Sequence, residues 1–360
     1  MLDKIAHAVM RWGTPLVALY HLITGNIFLN TVHEEARGLE WVGNVILAPT
    51  HYLLAGKFIS KEGKETLRFN YSDPAFMTKT VTSLVVLPVT LPLGCAVKGL
   101  SYLSDETKKH HKMIVRGRLS KEIEPHESLY KALGLQVNVF QEGEGIEPPT
   151  YQRRPGDESH MEEEKEALRE IVRLLSLHSI PFWMDCGALL GTYRYGGVIP
   201  WDIDLDLAIL QVDSQNVRRV LQDLDKTRFQ VQDWSSRDKP HTYLKVYIKK
   251  TGRLIDFYHF RIDTERGLLQ TIVSNVDCMF LPAYWAEREN RYTNPIPISY
   301  VFPLKKGTFD GIEVPVPNDT VQYLQNQYGN NLAPCKIYDE KTGNYEKDLS
   351  HPYWKFPHAQ

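Results

Sequence analysis

Acids and aliphatic residues alternate through residues 199–209, IPWDIDLDLAI, and this alternation strongly restricts how the chain can fold. Every second position is aliphatic: Ile203, Leu205, Leu207 and Ile209. A two-residue period is typical of a β-strand with one buried face. The pattern therefore predicts that Asp202, Asp204 and Asp206 share the opposite face of one strand.

Three carboxylates on one strand face repel one another unless a cation lies between them. Mg²⁺ or Mn²⁺ is the expected ion, because both prefer oxygen ligands and leave coordination positions for substrate phosphates. Acids are also common on solvated strand edges, and Asp202 could cap a turn after Trp201. From this segment alone, a metal site and a solvated strand edge both remain open.

The preceding segment, DCGALLGTYRYGG at residues 185–197, contains small and basic residues. Glycines at 187 and 191 would let backbone N–H groups approach a phosphate closely where a helix begins. Arg194 could bind phosphate through two hydrogen bonds. An ordinary tight connection and a surface salt bridge are the structural alternatives.

Regular elements are predicted on both sides of these residues. Upstream, Ser159 and Glu162 predict a capping box, followed by one buried helical stripe: Leu168, Ile171, Val172 and Leu175. Downstream, HTYLKVYIKK and RLIDFYHF predict a hairpin that places Lys245 on one strand and Asp256 on the other. The stretch from FPLKKG onward predicts a loop, a short strand and a helix that ends near Gly329.

The first third of the chain is different. Residues 80–97, TVTSLVVLPVTLPLGCAV, carry no charge and lie between Lys79 and Lys98. Pro88, Pro92 and Gly94 weaken a spanning helix, but the basic segment KKHHKMIVRGRLSK that follows would suit anionic lipid headgroups. Membrane contact and a small helical subdomain packed on the rest of the protein both remain open.

Residues 141–158, rich in Gly, Pro and charge, predict a linker. We therefore expect three regions: a helical, membrane-associated or packed N-terminal region at residues 1–105, a basic segment and linker at 106–158, and a folded domain at 159–360. The start, MLDKIAHAVMRWG, lacks a basic head and a compact apolar run, so we expect no cleaved secretory signal.

The 360-residue chain has a net charge of −2, which argues against a protein that binds nucleic acid. Its four cysteines are far apart and form no C-x-x-C pair, so we expect neither a zinc finger nor a disulfide framework. That usage suits a reducing compartment. We expect a cytoplasmic location, with peripheral or integral association with a membrane, of the ER or Golgi in a eukaryote, as the open alternative.

The motifs, taken together and in order, resemble the LicD family, which includes the fukutin-related proteins and belongs to the nucleotidyltransferase superfamily. The resemblance rests on MDCGALLG, Arg194, IPWDIDLD, LIDFYHF and GIEVPVPNDTVQYLQNQYGNN, and covers about residues 160–335. It implies an α+β fold, with a nucleotidyltransferase-like mixed sheet flanked by helices after the mainly helical N-terminal region. It also implies that Asp204 and Asp206 hold the divalent metal and that Asp256 completes the site.

This chain departs from the family pattern at two positions. Ala188 stands where a small hydroxyl residue often follows the glycine, so one side-chain contact to phosphate is missing. Ile203 stands where the family has a central acid, and the alternation predicts that it faces the core. We therefore predict Asp204 and Asp206 as the metal pair and Asp202 as a supporting residue.

The resemblance further implies a transferase that moves a phospho-alcohol, such as phosphocholine or ribitol or glycerol phosphate, from a CDP-activated donor to a sugar hydroxyl of a glycan. Asp256 would share the metal or accept the hydroxyl proton. The predicted phosphate contacts are Gly187, Ala188, Gly191, Arg194 and Lys245, although Lys245 could equally lie on a solvated strand face. Two alternatives stay open: transfer of a nucleoside monophosphate from a nucleotide donor, and a degenerate relative that only binds a glycan or a partner.

Overall fold

The computed structural model describes residues 38–55, 57–59, 65–67, 76–109, 123–124, 126–135, 151–233, 241–273 and 291–355. These residues form two compact units. The N-terminal unit is built on residues Met1–Lys121, and the sheet unit is built on Glu122–Gln232, His241–Val273 and Tyr284–Gln360.

Two long helices dominate the described part of the N-terminal unit. Helix α1 spans Gly38–Ala55 and helix α2 spans Phe76–Ser101, with the short antiparallel strands β1 (Lys57–Ile59) and β2 (Glu65–Leu67) between them. A helical turn follows at residues 105–109. The expected helical N-terminal region is therefore present, while His110 and His111 lie outside the described residues.

Helix α2 runs without interruption through Pro88 and Pro92. The prolines therefore do not interrupt the helix, and their effect on a membrane-spanning segment stays a prediction. The segment Thr80–Ser101 is long and apolar enough to cross a membrane. Some core helices of soluble proteins also meet these two criteria of length and composition.

A mixed seven-stranded sheet organises the second unit. Its strands are β3 (Phe182–Met184), β4 (Leu205–Leu210), β5 (Phe229–Asp233), β6 (Tyr243–Ile248), β7 (Leu254–Asp263), β8 (Leu268–Thr271) and β9 (Ile296–Pro297). The order is β3-β4-β7-β6-β5, and β8 joins the far end of β7 to β9. Strand β4 runs parallel to β7, whereas β3, β6 and β8 pair with their neighbours antiparallel.

Helices and smaller hairpins surround this sheet. The helices are α3 (Glu127–Ala132), α4 (Glu162–Leu177), α5 (Cys186–Tyr195), α6 (Ser214–Val220), α7 (Ile298–Val301) and α8 (Thr320–Tyr328). The hairpins are β10 (Lys305–Phe309) with β11 (Ile312–Val316), and β12 (Lys336–Asp339) with β13 (Asn344–Lys347). The predicted α+β class is confirmed, as is the end of α8 at Gly329.

Helix α4 packs its apolar stripe into the core as predicted, because Leu168, Ile171 and Leu175 are buried and Val172 packs against them. Its start differs from the prediction. The helix begins at Glu162, the cap residue is Met161, and the Ser159 hydroxyl donates to the Gly156 carbonyl instead. The predicted capping box is therefore wrong, because Ser159 is the last residue of a 3₁₀ turn, Asp157–Ser159, that precedes the helix.

The described part of the predicted linker, residues 151–158, packs onto the sheet unit. Tyr151 N–H donates to the Arg194 carbonyl, and Arg153 Nη2 lies 2.5 Å from Asp310 Oδ1. Asp310 also accepts from the Val198 N–H and lies 3.5 Å from the buried Lys165 Nζ. One buried carboxylate therefore joins this segment, α4 and the loop after α5. The three predicted regions themselves stay a prediction.

We expect Asp310→Ala to lower the free energy of unfolding by about 3 kcal/mol, because it removes the carboxylate partner of the largely buried Arg153 and one partner of Lys165. Glu313→Ala is the matched control: Glu313 pairs with Lys306 on the exposed face of the β10–β11 hairpin, where a salt bridge contributes about 0.5 kcal/mol. Chemical denaturation of both variants measures the difference. Equal losses would contradict the connecting role of Asp310.

Candidate active site

Strand β4 begins at Leu205, whereas the alternation predicted a strand that already includes Ile203. The Ile203 side chain is 62% exposed, and the prediction that it faces the core is wrong. The physical reason is a turn: Asp202 N–H donates to the Ile199 carbonyl, and the Asp202 carboxylate accepts from Ile203 N–H. Asp202 and Asp204 therefore approach the site from a loop, and Asp206 approaches it from the strand.

The structure brings Asp204, Asp206 and Asp256 together. Asp206 and Asp256 are direct partners in the parallel register of β4 and β7, so their side chains share one face of the sheet. One carboxylate oxygen from each of the three residues lies within 4.8 Å of the other two. We call these three residues the acidic cluster.

Negative charge in the acidic cluster is poorly compensated. Burial raises the pKa of Asp206 well above its usual range, and the nearby carboxylates Asp204, Asp256 and Asp202 raise it further. A divalent cation would offset both the burial of the Asp206 carboxylate and the repulsion between the carboxylates, because it is positively charged and prefers oxygen ligands. The chemistry of this donor set therefore fits Mg²⁺ or Mn²⁺.

Lys245 lies at the acidic cluster. It is the register partner of Asp256 on β6, and its Nζ lies 3.0 Å from Asp256 Oδ1 with both side chains buried. The alternative of a solvated strand face for Lys245 is therefore wrong. Its ammonium group also lies 4.9 Å from the Tyr243 ring centroid.

Asp202 lies between the acidic cluster and the first turn of α5. A Cβ atom at Gly187 would come 2.6 Å from Asp202 Oδ2 and 3.8 Å from Asp206 Oδ2. Only glycine therefore leaves room for the acids at this point. Burial, followed by the charge of Asp204, raises the pKa of Asp202 to about 7.

The other two small residues of α5 are placed differently. A Cβ atom at Gly191 would come 2.5 Å from the Gly197 carbonyl oxygen, so Gly191 lets the helix pack against the loop that follows it. Ala188 is buried, and its carbonyl accepts from the Thr192 hydroxyl. Of the two glycines, the structure places Gly187 beside the acids.

Arg194 does not have the predicted arrangement. Its Nε donates to the Leu332 carbonyl and its Nη2 to the Ala333 carbonyl, each at 2.7 Å. The guanidinium is buried, and this burial lowers its pKa. Arg194 therefore fixes the chain after α8, and the structure gives no support to the predicted phosphate contact.

Sequence reasoning assigned no role to Asp185, which caps the N-terminus of α5. Its Oδ1 accepts hydrogen bonds from Cys186 N–H, the Tyr323 hydroxyl and the Gln327 amide, each at 2.8 Å. The residue is buried, which raises its pKa. An aspartate directly before the first helical residue is an N-cap pattern, so the signal was present in MDCG.

Two tyrosines extend the same sheet face beyond the acids. Tyr258 follows Asp256 by one strand period and pairs in register with Tyr243, with ring centroids 5.7 Å apart. Burial raises the pKa of Tyr258 well above its usual range. The two-residue period of LIDFYHF already places Tyr258 on the same face as Asp256, but the sequence prediction did not include the tyrosine.

Comparison with known proteins finds short or distant similarity. Two uncharacterized proteins, from Rickettsia typhi and Rickettsia prowazekii, are each 25% identical over 163 residues, which is 45% of this chain and 44% and 52% of theirs. The ribitol 5-phosphate transferase FKRP of Mus musculus and that of Homo sapiens are each 38% identical over 56 residues, 16% of this chain and 11% of theirs. The chain thus spans about half or less of the curated relatives it matches.

A family model described as LicD/FKTN/FKRP, nucleotidyltransferase domain, matches residues 179–319. The matched range contains the acidic cluster, Lys245, helix α5 and the β10–β11 hairpin. The resemblance drawn from the motifs is confirmed. Over residues 179–319 this chain is therefore similar to the nucleotidyltransferase domain of the LicD/FKTN/FKRP family.

Proposed function

We propose that this domain is a metal-dependent phosphotransferase that moves a phospho-alcohol, of the phosphocholine or ribitol or glycerol phosphate type, from a CDP-activated donor to a sugar hydroxyl of a glycan. The observation that carries the proposal is the convergence of three carboxylates within 4.8 Å, one from a loop and two from the sheet, in a region similar to the LicD family. Local similarity to a ribitol 5-phosphate transferase supports the class of transferred group.

Asp204, Asp206 and Asp256 would hold the Mg²⁺ or Mn²⁺ ion. When bound, the ion would neutralise the donor diphosphate and stabilise negative charge on the leaving oxygen. Asp202, whose carboxylate lies against Gly187, would support the cluster from the side of α5.

The residues around the acids suit a phosphorylated donor. Gly187 lies in the first turn of α5, and the dipole at the N-terminus of a helix favours anions. Lys245 adds a cation at the opposite strand. These two elements would bind the donor phosphates between them, and they replace Gly191 and Arg194 as the proposed phosphate contacts.

In the proposed reaction the sugar hydroxyl oxygen attacks the phosphorus that carries the alcohol. A new phosphorus–oxygen bond forms to the sugar, the bond to the bridging oxygen of the diphosphate breaks, and CMP leaves with that electron pair. Asp256, which lies on a strand different from that of Asp206, would accept the proton of the sugar hydroxyl.

The same acids would also serve transfer of a nucleoside monophosphate from a nucleoside triphosphate, and the description of the family model names that activity class. The products separate the two reactions, since phospho-alcohol transfer releases CMP and nucleotidyl transfer releases diphosphate. For location we propose action at a membrane, because α2 contains a stretch long and apolar enough to cross one.

A donor screen tests the function directly. Purified protein with Mn²⁺, an acceptor glycan and CDP-choline, CDP-ribitol, CDP-glycerol or CTP should release CMP from one CDP-alcohol. Asp204→Asn should lower that rate by about 100-fold or more, because charge stabilisation in the transition state is lost. Asp225→Asn, an exposed acid in a turn, is the matched control. Diphosphate release from CTP alone would instead establish the nucleotidyltransferase alternative.

Metal binding should depend on pH with a definite sign. Since the pKa values of Asp202 and Asp206 are raised, the folded metal-free protein retains protons that the unfolded chain releases. Its stability should therefore fall between about pH 5 and about pH 8. Bound Mn²⁺ replaces those protons, so its stabilising shift in melting temperature should grow over the same range.

Thermal unfolding with and without MnCl₂ measures both trends. Asp206→Asn should flatten the pH dependence of the metal-free protein and reduce the shift with Mn²⁺, while Asp225→Asn should leave both unchanged. An equal Mn²⁺ shift at the two ends of the range, or no shift at all, would count against the acidic cluster as the metal site.

Asp185 should matter more than an ordinary helix cap. Asp185→Ala leaves buried donors of Tyr323 and Gln327 without an acceptor, so we expect a loss of about 3 kcal/mol in the free energy of unfolding. Asp319→Ala is the control, because Asp319 caps α8 at the surface and its loss should cost about 1 kcal/mol. Below both melting temperatures, Asp185→Ala alone should also weaken turnover, since it releases the helix end that carries Gly187. Equal effects of the two variants would remove the positioning role.

A further inference from the structure

Helices α1 and α2 approach each other closely at two glycines. A Cβ atom at Gly43 on α1 would come 2.9 Å from the Lys98 Cα on α2, and one at Gly94 on α2 would come 2.6 Å from the Leu47 Cγ on α1. The absence of side chains at these points allows the two helices to pack at short range. The spacing between the helices is therefore set by glycine.

Helix α2 has its polar residues inside and its apolar residues outside. Within Thr80–Ser101 its buried residues are small: Thr82, Ser83, Thr90, Gly94 and Ser101. Its exposed large side chains are aliphatic: Val81, Leu84, Val85, Val89, Leu91, Leu93 and Leu100. A helix on the surface of a water-soluble protein has the reverse distribution.

Polar contacts lie in the interface of the pair. The Lys98 ammonium donates to the buried Asn44 Oδ1 at 2.7 Å, and the Thr90 and Ser101 hydroxyls donate to carbonyls of their own helix. Small residues and interhelical hydrogen bonds between helices, with large apolar residues on the outside, are typical of helix pairs in a lipid environment.

We propose that α1 and α2 form a hairpin embedded in the hydrocarbon of a lipid bilayer. The exposed aliphatic residues from Val81 to Leu100 spread over about 200° of the helix circumference at about 100° per residue. A partner helix in water would cover a stripe of about 100°, so the observed width fits surrounding acyl chains better than one protein partner.

Length and charge agree with this environment. Thr80–Ser101 contains 22 residues, which corresponds to about 33 Å of helix against a hydrocarbon thickness of about 30 Å. Lys79 and Lys98 lie near the two ends of that stretch, and residues 108–121 then supply six Lys and Arg residues. Such a basic segment would lie against anionic headgroups at one surface of the bilayer.

Vesicle flotation of the full-length chain tests the proposal. The protein, purified in detergent and transferred to phosphatidylcholine vesicles with or without phosphatidylserine, should float with the vesicles and remain bound after high-salt and alkaline washes. Val85→Lys combined with Val89→Lys places charges at outward positions, 72% and 66% exposed, and should reduce flotation about tenfold or more. Leu177→Lys on α4, 69% exposed, is the matched control and should float normally.

Two further measurements keep the result interpretable. Val85→Leu combined with Val89→Leu should float like the wild type, and the unfolding transition of the sheet unit should be the same in all variants. Release of the wild-type protein by high salt would show headgroup attraction only and overturn the proposal. A wild-type protein that stays monodisperse in water without detergent, alone or in a complex with a soluble protein, would overturn it as well.

Discussion

The parallel pairing of β4 with β7 forces two buried carboxylates, Asp206 and Asp256, into direct register, and the surrounding structure depends on that contact. Folding must overcome the repulsion between them, and Asp204 adds a third carboxylate to the same point. The strands can keep this arrangement because Leu205, Leu207 and their neighbours are fully enclosed on the other side of the sheet. Hydrophobic burial thus stabilises a register that electrostatics alone would oppose.

The elements around the acidic cluster either offset its negative charge or hold its surroundings in place. Lys245 on β6 supplies a cation at Asp256, and α5 directs its N-terminus toward Asp202 across Gly187. Asp185 fixes that helix end to α8 through Tyr323 and Gln327. The hydrogen bonds of Arg194 and Asp310 hold the chain segments after α8 and after α5. The result is a frame with a local excess of negative charge, a condition that favours binding of a divalent cation.

Local patterns predicted several elements well. The aliphatic period predicted the buried face of β4 from Leu205 onward, the hairpin pattern placed Lys245 and Asp256 on its two strands, and the helical stripe of α4 is buried as expected. Predictions failed where a distant segment decided the outcome. Arg194 was predicted to bind phosphate. Its guanidinium instead donates to the carbonyls of Leu332 and Ala333, which are far away in sequence. Gly191 is a local exception, because it packs against the carbonyl of Gly197 within the same motif.

Residue type and periodicity are properties of short segments, so they predicted which residues carry charge, most of the apolar faces and the family that the motifs resemble. The sequence also marked Thr80–Ser101 as unusually apolar. Tertiary structure was needed to show that Asp204 reaches the site from a loop and that Asp185 anchors α5. It was also needed to show that the small polar residues of α2 are buried while its aliphatic residues are exposed. Those outcomes depend on which elements meet in space, and pairing between distant segments is set by the packing of the whole chain.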